Sequence, residues 1–260
     1  MNDYIQSLFG LLGKVAIVTG SSKGIGKAIA ESYATLGASV VVSSRKADAC
    51  EAVAESIRLD GGEAISIPCN ISNEDDLARL VDRTLKKWGR IDTLVCNAAI
   101  NPYFGPLVDV DEKLYHKTMD TNILSNLQLS KRVQPGMASR RDGSIIFISS
   151  IAGVRGSANL GVYSLTKAAD MQLARNLAVE FGPDNIRVNC IAPGLIRTDF
   201  SRKRWENDEQ LGEFLKTYPI GRIGEPEDMI GVAVLLAGKA GGFITGQTYF
   251  VDGGVTIGGG

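Results

Sequence analysis

Tyr163 and Lys167 stand four residues apart in the stretch YSLTK, so a helix there puts both side chains on one face within contact reach. A free tyrosine has a pKa near 10, and at neutral pH only about one phenol in a thousand is ionised. An ammonium within about 4–6 Å lowers that value by roughly 1–3 units, into the range where a phenol exchanges protons efficiently. The pair therefore predicts a general acid/base. Such a phenol gives up a proton in one direction of a reaction and takes it back in the other.

A second chemical element, TGSSKGIG at Thr19 to Gly26, fits two chemistries. Read as Gly20-Ser21-Ser22-Lys23-Gly24 it is a sharp elbow presenting a nucleophilic Ser22, as in a hydrolase. Read as Gly20, Gly24 and Gly26 it is a loop whose bare backbone lets a dinucleotide pyrophosphate approach a helix N-terminus. The hydrolase needs a histidine base, and the chain has one histidine, His116, in the polar helical stretch DEKLYHKTMD. The loop also follows the first strand, where a phosphate loop belongs. The dinucleotide reading prevails.

The elements that must position these residues alternate from end to end. Short β-branched runs, near-continuously apolar, predict strands at Val15–Thr19, Ser39–Ser43, Ala64–Cys69, Thr93–Asn97, Ser144–Ser149, Arg187–Ile191 and Thr248–Val251. Helical patterns lie between them. The clearest, Glu74–Trp88, repeats Leu77, Leu80, Val81, Leu85 and Trp88 on one stripe, with Ser72 as a start signal. Strand, helix and strand again imply right-handed crossovers and a parallel sheet. The predicted fold is an α/β, single-domain, Rossmann-type doubly wound sheet with helices on both faces. The chemistry-bearing stretches CNAAI, FISSIAG and YSLTK then fall at strand C-termini or just after them, the edge where such sheets bind ligands.

The bulk of the chain agrees. At 260 residues and 44% hydrophobic it can bury a large core, and no linker or repeat divides residues 1–260. A net charge of -1 argues against nucleic acid as a partner. Cys50, Cys69, Cys96 and Cys190 are scattered without metal-ligand spacing, so buried reduced thiols and no metal are expected. No apolar run reaches the roughly 18 residues of a membrane span and no leader or terminal address is evident, which makes the cytoplasm the expected location.

The pattern TGxxxGIG, then NAA, then a serine thirteen residues before YxxxK, then PG, resembles the short-chain dehydrogenase/reductase family over about residues 12–254. Ile100 replaces a glycine that often follows NAA, a change of local loop shape. The resemblance implies hydride transfer between a nicotinamide cofactor and a carbonyl or secondary alcohol. It gives Tyr163 and Lys167 further contacts to the cofactor, Lys167 to the nicotinamide ribose. Ser150, ahead of its neighbour Ser149 by spacing, binds the substrate oxygen, and Asn122 holds a water in the proton relay. Cofactor contacts carried over by position are Gly20, Ser22, Lys23, Gly24, Ile25, Gly26, Asn70, Ile71, Asn97, Ala98, Pro193, Gly194, Ile196 and Thr198. A binding scaffold without turnover is disfavoured by the intact Ser150, Tyr163 and Lys167.

At the end of the second strand, where NAD enzymes carry an acid, the chain has Ser44, Arg45 and Lys46. The guanidinium fork of Arg45 matches a 2′-phosphate, and Lys23 can add a second cation, so NADP(H) is the expected cofactor with NAD(H) as the alternative. Asp48, the one nearby acid, is expected in the following helix.

NAAINPYFG and IGEPED resemble the NADP(H)-dependent carbonyl and retinal reductase branch of the family, member 4 in animals. Residues 1–11 read as an N-terminal extension and about 196–220 as a substrate lid. Phe200, Trp205, Phe214 and Tyr218 there, with Tyr103 and Phe104, suit a lipophilic carbonyl, and lid-to-core packing accounts for them equally well. Family members pair the helix that begins at Tyr163 across a two-fold axis, so a homotetramer is expected.

Overall fold

The computed structural model describes residues 3–258. In chain order its main elements are α1 (Asp3–Phe9), β1 (Val15–Thr19), α2 (Gly24–Thr35), β2 (Ser39–Ser43), α3 (Ala47–Leu59), β3 (Glu63–Ser66), α4 (Glu74–Trp88) and β4 (Thr93–Cys96). Then come α5 (Glu112–Met119), α6 (Ser125–Arg140), β5 (Gly143–Ile148), α7 (Gly161–Phe181), β6 (Ile186–Pro193), α8 (Asp208–Leu215), α9 (Ile230–Ala237) and β7 (Thr248–Val251). All seven strands pair in parallel in the order β3-β2-β1-β4-β5-β6-β7. The order reverses between β1 and β4, and an open sheet forms its ligand crevice at such a reversal.

Strand alternation divides the apolar side chains between two cores. Ala16, Val18, Val40, Val42, Val95 and Ile146 face α2, α3 and α9. Ile17, Val41, Leu94, Ile145, Phe147 and Val188 face α4, α6 and α7. Both faces of the sheet are thus covered, which is why its strands read as unbroken apolar runs. The doubly wound fold expected from the sequence is the fold observed. Before β1, Leu11 is buried and its N–H bonds Leu36 O at 2.8 Å, tying the start of the chain to the end of α2.

Several boundaries differ from the sequence reading. β3 spans Glu63–Ser66 rather than Ala64–Cys69. Pro68 has no N–H to give, yet Ile67 N and Cys69 N still bond Val42 O and Ser44 O alongside β2. β4 stops at Cys96 because the Asn97 N–H turns to Thr19 Oγ1. β5 starts and ends one residue early, at Gly143 and Ile148, and β6 is longer than expected because β7 pairs with it as far as Pro193. Asn73, not Ser72, caps α4, its Oδ1 accepting from Asp76 N at 3.0 Å, while the Ser72 hydroxyl pairs with Thr121. Among the described residues no helix is long and apolar enough to cross a membrane, and no group of acidic, histidine and cysteine side chains could hold a metal.

Candidate functional site

Between β1 and α2 the glycine loop closes on a scaffold that explains its composition. Gly20 and Gly24 have φ of 67° and 57°, a region that an L side chain enters only at a cost. A Cβ on Gly20 would lie 2.7 Å from Asn97 Nδ2, and one on Gly26 would lie 2.5 Å from the same atom and from Gly20 O. Asn97 can come this close because its amide donates to Thr19 O at 2.9 Å and Gly20 O at 3.1 Å. Ala98 joins through its N–H to Thr19 Oγ1. Asn97 therefore shapes the loop from behind. Ser21, which sequence reasoning passed over, is fully buried, donating to Val18 O and accepting from Ser43 N. These bonds pin the loop to the end of β2.

Across the same edge, α7 carries Tyr163 and Lys167 on one face, with the Lys167 ammonium 5.7 Å from the Tyr163 ring centre. Ser150 lies beside the tyrosine hydroxyl, close enough to pull its pKa down. Ser149 is committed elsewhere: it is buried and its hydroxyl donates to Lys167 O at 2.7 Å. Asn122 sits in a π-helical turn, Asp120–Leu124, between α5 and α6, a distortion often found at functional sites. Its Oδ1 accepts from Ile100 N at 2.9 Å, and its Nδ2 donates to Ile100 O and to Thr166 Oγ1. The amide is engaged by protein groups and so holds the loop after β4 in place.

Two side chains that the sequence reading missed complete this cluster. Lys167, almost fully buried, donates to Ile148 O at 2.8 Å and to Asp170 Oδ2 at 2.9 Å. Asn126 Nδ2 donates to the other oxygen of Asp170 at 3.0 Å. The available signal was a lone acid three residues after Lys167 in an otherwise apolar run. Burial opposes the Lys167 charge, but Asp170 and Tyr163 more than offset this and hold the ammonium above its ordinary value. Burial likewise holds the Asp170 carboxyl above the usual carboxylate range, against the pull of Lys167 and Asn126.

Here the structure corrects an expectation. Tyr163 is shifted up, not down: desolvation raises its phenol first, the Lys167 ammonium draws it back, and Asp170 raises it again. An ammonium paired with a carboxylate is a weaker attractor for a phenolate than a free one.

The remaining expected positions line the same C-terminal edge of the sheet. Ser22 and Ile25 are half-buried in the loop and first turn, and Lys23 is exposed, its Nζ 2.9 Å from Asp199. Ser44 bonds Cys50 Sγ, and Arg45 is exposed at the end of β2, with Asp48 inside α3 as expected. Asn70 is exposed, its Oδ1 turned to Ser72 N, and Ile71 packs toward the α4 core. Pro193 ends β6. A Cβ on Gly194 would lie 2.8 Å from Asp252 Cα, and Ile196 is buried. Thr198 meets Gly24, whose Cβ would lie 3.1 Å from its methyl. The lone His116 is exposed on α5 beside Glu112, as a solvated helix residue, which leaves Ser22 without a base.

In the segment 196–220 the aromatics divide by role. Tyr218 is buried and its hydroxyl accepts from Leu195 N, Phe214 stacks on it at 5.1 Å, and Trp205 Nε1 donates to Thr198 O. These are packing residues. Phe200 is 58% exposed and its ring lies 5.9 Å from that of Tyr163. Phe104 is also exposed, under the guanidinium of Arg204.

The family model described as Enoyl-(Acyl carrier protein) reductase matches residues 20–256. Dehydrogenase/reductase SDR family member 4 of Pongo abelii is 43% identical over 94% of this chain and 88% of its own. Among solved structures, a 7α-hydroxysteroid dehydrogenase complexed with NADH and 7-oxo glycochenodeoxycholic acid is 38% identical with a TM-score of 0.92, covering 95% of this chain and 96% of that one. A gluconate 5-dehydrogenase from Burkholderia cenocepacia, in complex with NADP and tartrate, is 29% identical with a TM-score of 0.92 over 97% and 98% of the two chains. With glycine loop, serine, tyrosine and lysine gathered at one sheet edge, this chain belongs to the short-chain dehydrogenase/reductase family of oxidoreductases, alongside its family member 4 branch.

Proposed function

We propose that the chain is an NADP(H)-linked reductase of lipophilic ketones or aldehydes, running in reverse on the matching secondary alcohols. The observation that carries this reading is the Tyr163 hydroxyl, beside Ser150 and backed by the Lys167 ammonium, on the sheet edge that also bears the glycine loop. The loop fits a dinucleotide: its glycines leave backbone N–H groups bare at the start of α2, where phosphate binds without side chains in the way. Gly20, Ser22, Gly24, Ile25 and Gly26 would hold the pyrophosphate. Asn70 and Ile71 would flank the adenine, Ala98 and the Pro193–Thr198 stretch the nicotinamide half, and Lys167 its ribose. The cofactor supplies or receives the hydride.

The protein supplies the rest. Ser150 donates a hydrogen bond to the carbonyl oxygen, and Tyr163 delivers a proton to it as the alcohol forms. Phe200 offers an apolar wall beside Tyr163, which favours ring-bearing or long-chain substrates. The steroid relative, solved with a 7-oxo bile acid derivative, acts on a molecule of that kind. The segment 196–220 would close over it as a lid. Exposed Arg45, with Lys23, favours NADP(H). The second reading, NAD(H), is supported by the NADH held in the steroid relative.

The test is a panel of aromatic, alicyclic and long-chain carbonyls, with NADPH and NADH followed by their absorbance, and Tyr163→Phe alongside. Tyr163→Phe should lower turnover by about 100-fold or more while cofactor binding persists, the scale of a lost general acid. Near-unchanged turnover would remove Tyr163 from the reaction.

A further inference from the structure

We propose that Asp170 is a positioning residue of this site, one that anchors and partly offsets the Lys167 ammonium and so sets the pH at which Tyr163 changes from proton donor to proton acceptor. The inference rests on the acid/base role proposed for Tyr163. Asp170 does not face the cleft: it is fully buried, one oxygen bonded to Lys167 Nζ at 2.9 Å and the other to Asn126 Nδ2 at 3.0 Å. Both oxygens accept, the arrangement of an ionised carboxylate. A buried charge without function is costly, and this one is built into the helix that carries the reacting groups.

The other titratable groups around the pair do not compensate for it. From β4 and β6, Cys96 and Cys190 face the cluster as thiols that burial keeps protonated. Cys190 donates to Asp170 O, its backbone carbonyl. Arg204, from the segment 196–220, acts on Tyr163 only weakly, as the last of its influences. Asp170 is therefore the one negative charge in the immediate cluster, and it acts against phenolate formation at Tyr163 by cancelling part of the field of Lys167.

The overall equilibrium belongs to the reactants and is untouched. What Asp170 sets is the range: carbonyl reduction needs the protonated phenol and holds its rate into alkaline solution, while alcohol oxidation needs the phenolate and rises only there.

The experiment is a pH profile of kcat/KM for carbonyl reduction, in the full-length enzyme, for the parent, Asp170→Asn and Asn126→Ala. Asp170→Asn keeps the side-chain shape and an oxygen for Lys167 but removes the charge. Its alkaline limb should move to lower pH, so that the rate at pH 9, relative to the neutral plateau, falls by about three- to tenfold more than in the parent, the effect of removing a neighbouring charge. Asn126→Ala leaves the carboxylate charged but removes the donor that disperses its charge, so its limb should move slightly the other way, to higher pH. A residue that merely supports packing would lower rates at every pH and leave the limb in place. A limb that stays put or moves to higher pH in Asp170→Asn overturns the proposal, and if that variant does not fold, Asn126→Ala decides, a limb that stays put or moves to lower pH overturning it. Loss of activity in Tyr163→Phe together with an unmoved limb overturns this inference alone. Retained activity in Tyr163→Phe overturns the acid/base reading beneath it.

Discussion

Gly26→Ala tests whether the glycine loop is shaped by Asn97. Gly26 is the third residue of α2, and by helix propensity alone alanine there would stabilise the protein by about 0.5–1 kcal/mol. The contacts argue the opposite. The new Cβ would stand 2.5 Å from Asn97 Nδ2 and 2.5 Å from Gly20 O, against an ordinary separation of about 3.5–4.0 Å. Roughly 1 Å of movement is required, and neither neighbour is free to give it, because Asn97 is bonded to Thr19 O and Gly20 O. Losing those two hydrogen bonds costs about 1–3 kcal/mol, more than propensity returns. For a protein of this size each kcal/mol lowers Tm by about 2–4 °C, so a net fall of a few degrees is expected. NADPH affinity, measured by nucleotide fluorescence, should weaken by about tenfold, since 1.4 kcal/mol is a factor of ten. A Gly26→Ala protein that melts at or above the parent temperature and binds NADPH equally well would refute the reasoning.

Arg45→Ala should raise the KM for NADPH by about 10- to 100-fold and leave NADH nearly unaffected, the value of one charged hydrogen bond; a parent enzyme with higher kcat/KM for NADH would void the assignment. Asp228 is held down at about 2 by the Arg222 guanidinium and the Glu225 N–H. A carboxyl depressed by folding stabilises the protein above its unfolded value and loses that contribution as pH falls through the folded one. Asp228→Asn should therefore melt below the parent at neutral pH, with the gap closing between about pH 4 and pH 2, whereas a gap constant across that range would contradict the linkage. Light scattering at micromolar concentration should report a tetramer, Val179 and Leu165 being exposed apolar residues on α7; a mass of 27.7 kDa would rule it out.

What was legible in the sequence was whatever depends on spacing along one element. Tyr163 and Lys167 share a face because four residues make just over one helical turn, and the strands announced themselves because both faces of the sheet are covered. The rest depended on contacts between distant segments. Asp170 and Asn126 lie 44 positions apart and meet only once α6 packs beside α7. The upward shift of Tyr163 follows first from burial, which local spacing does not carry, and then from Asp170 on the same helix. Asn97 could be placed at the site from its motif, but not its task of pressing on Gly20 and Gly26. The end of β3 was hidden for a different reason, since an apolar run continues through Pro68 although the regular ladder does not.

The bonds around Asn122 link the two halves of the site. Asn97 grips the glycine loop at Thr19 and Gly20. Three residues on, the same connection is gripped at Ile100 by Asn122, which reaches Thr166 Oγ1, and that hydroxyl donates to Tyr163 O at 2.7 Å. The phosphate end and the proton-transfer end therefore share one frame. Energy spent distorting either end is felt by the other, so perturbations at the two cannot be summed as if they were separate places.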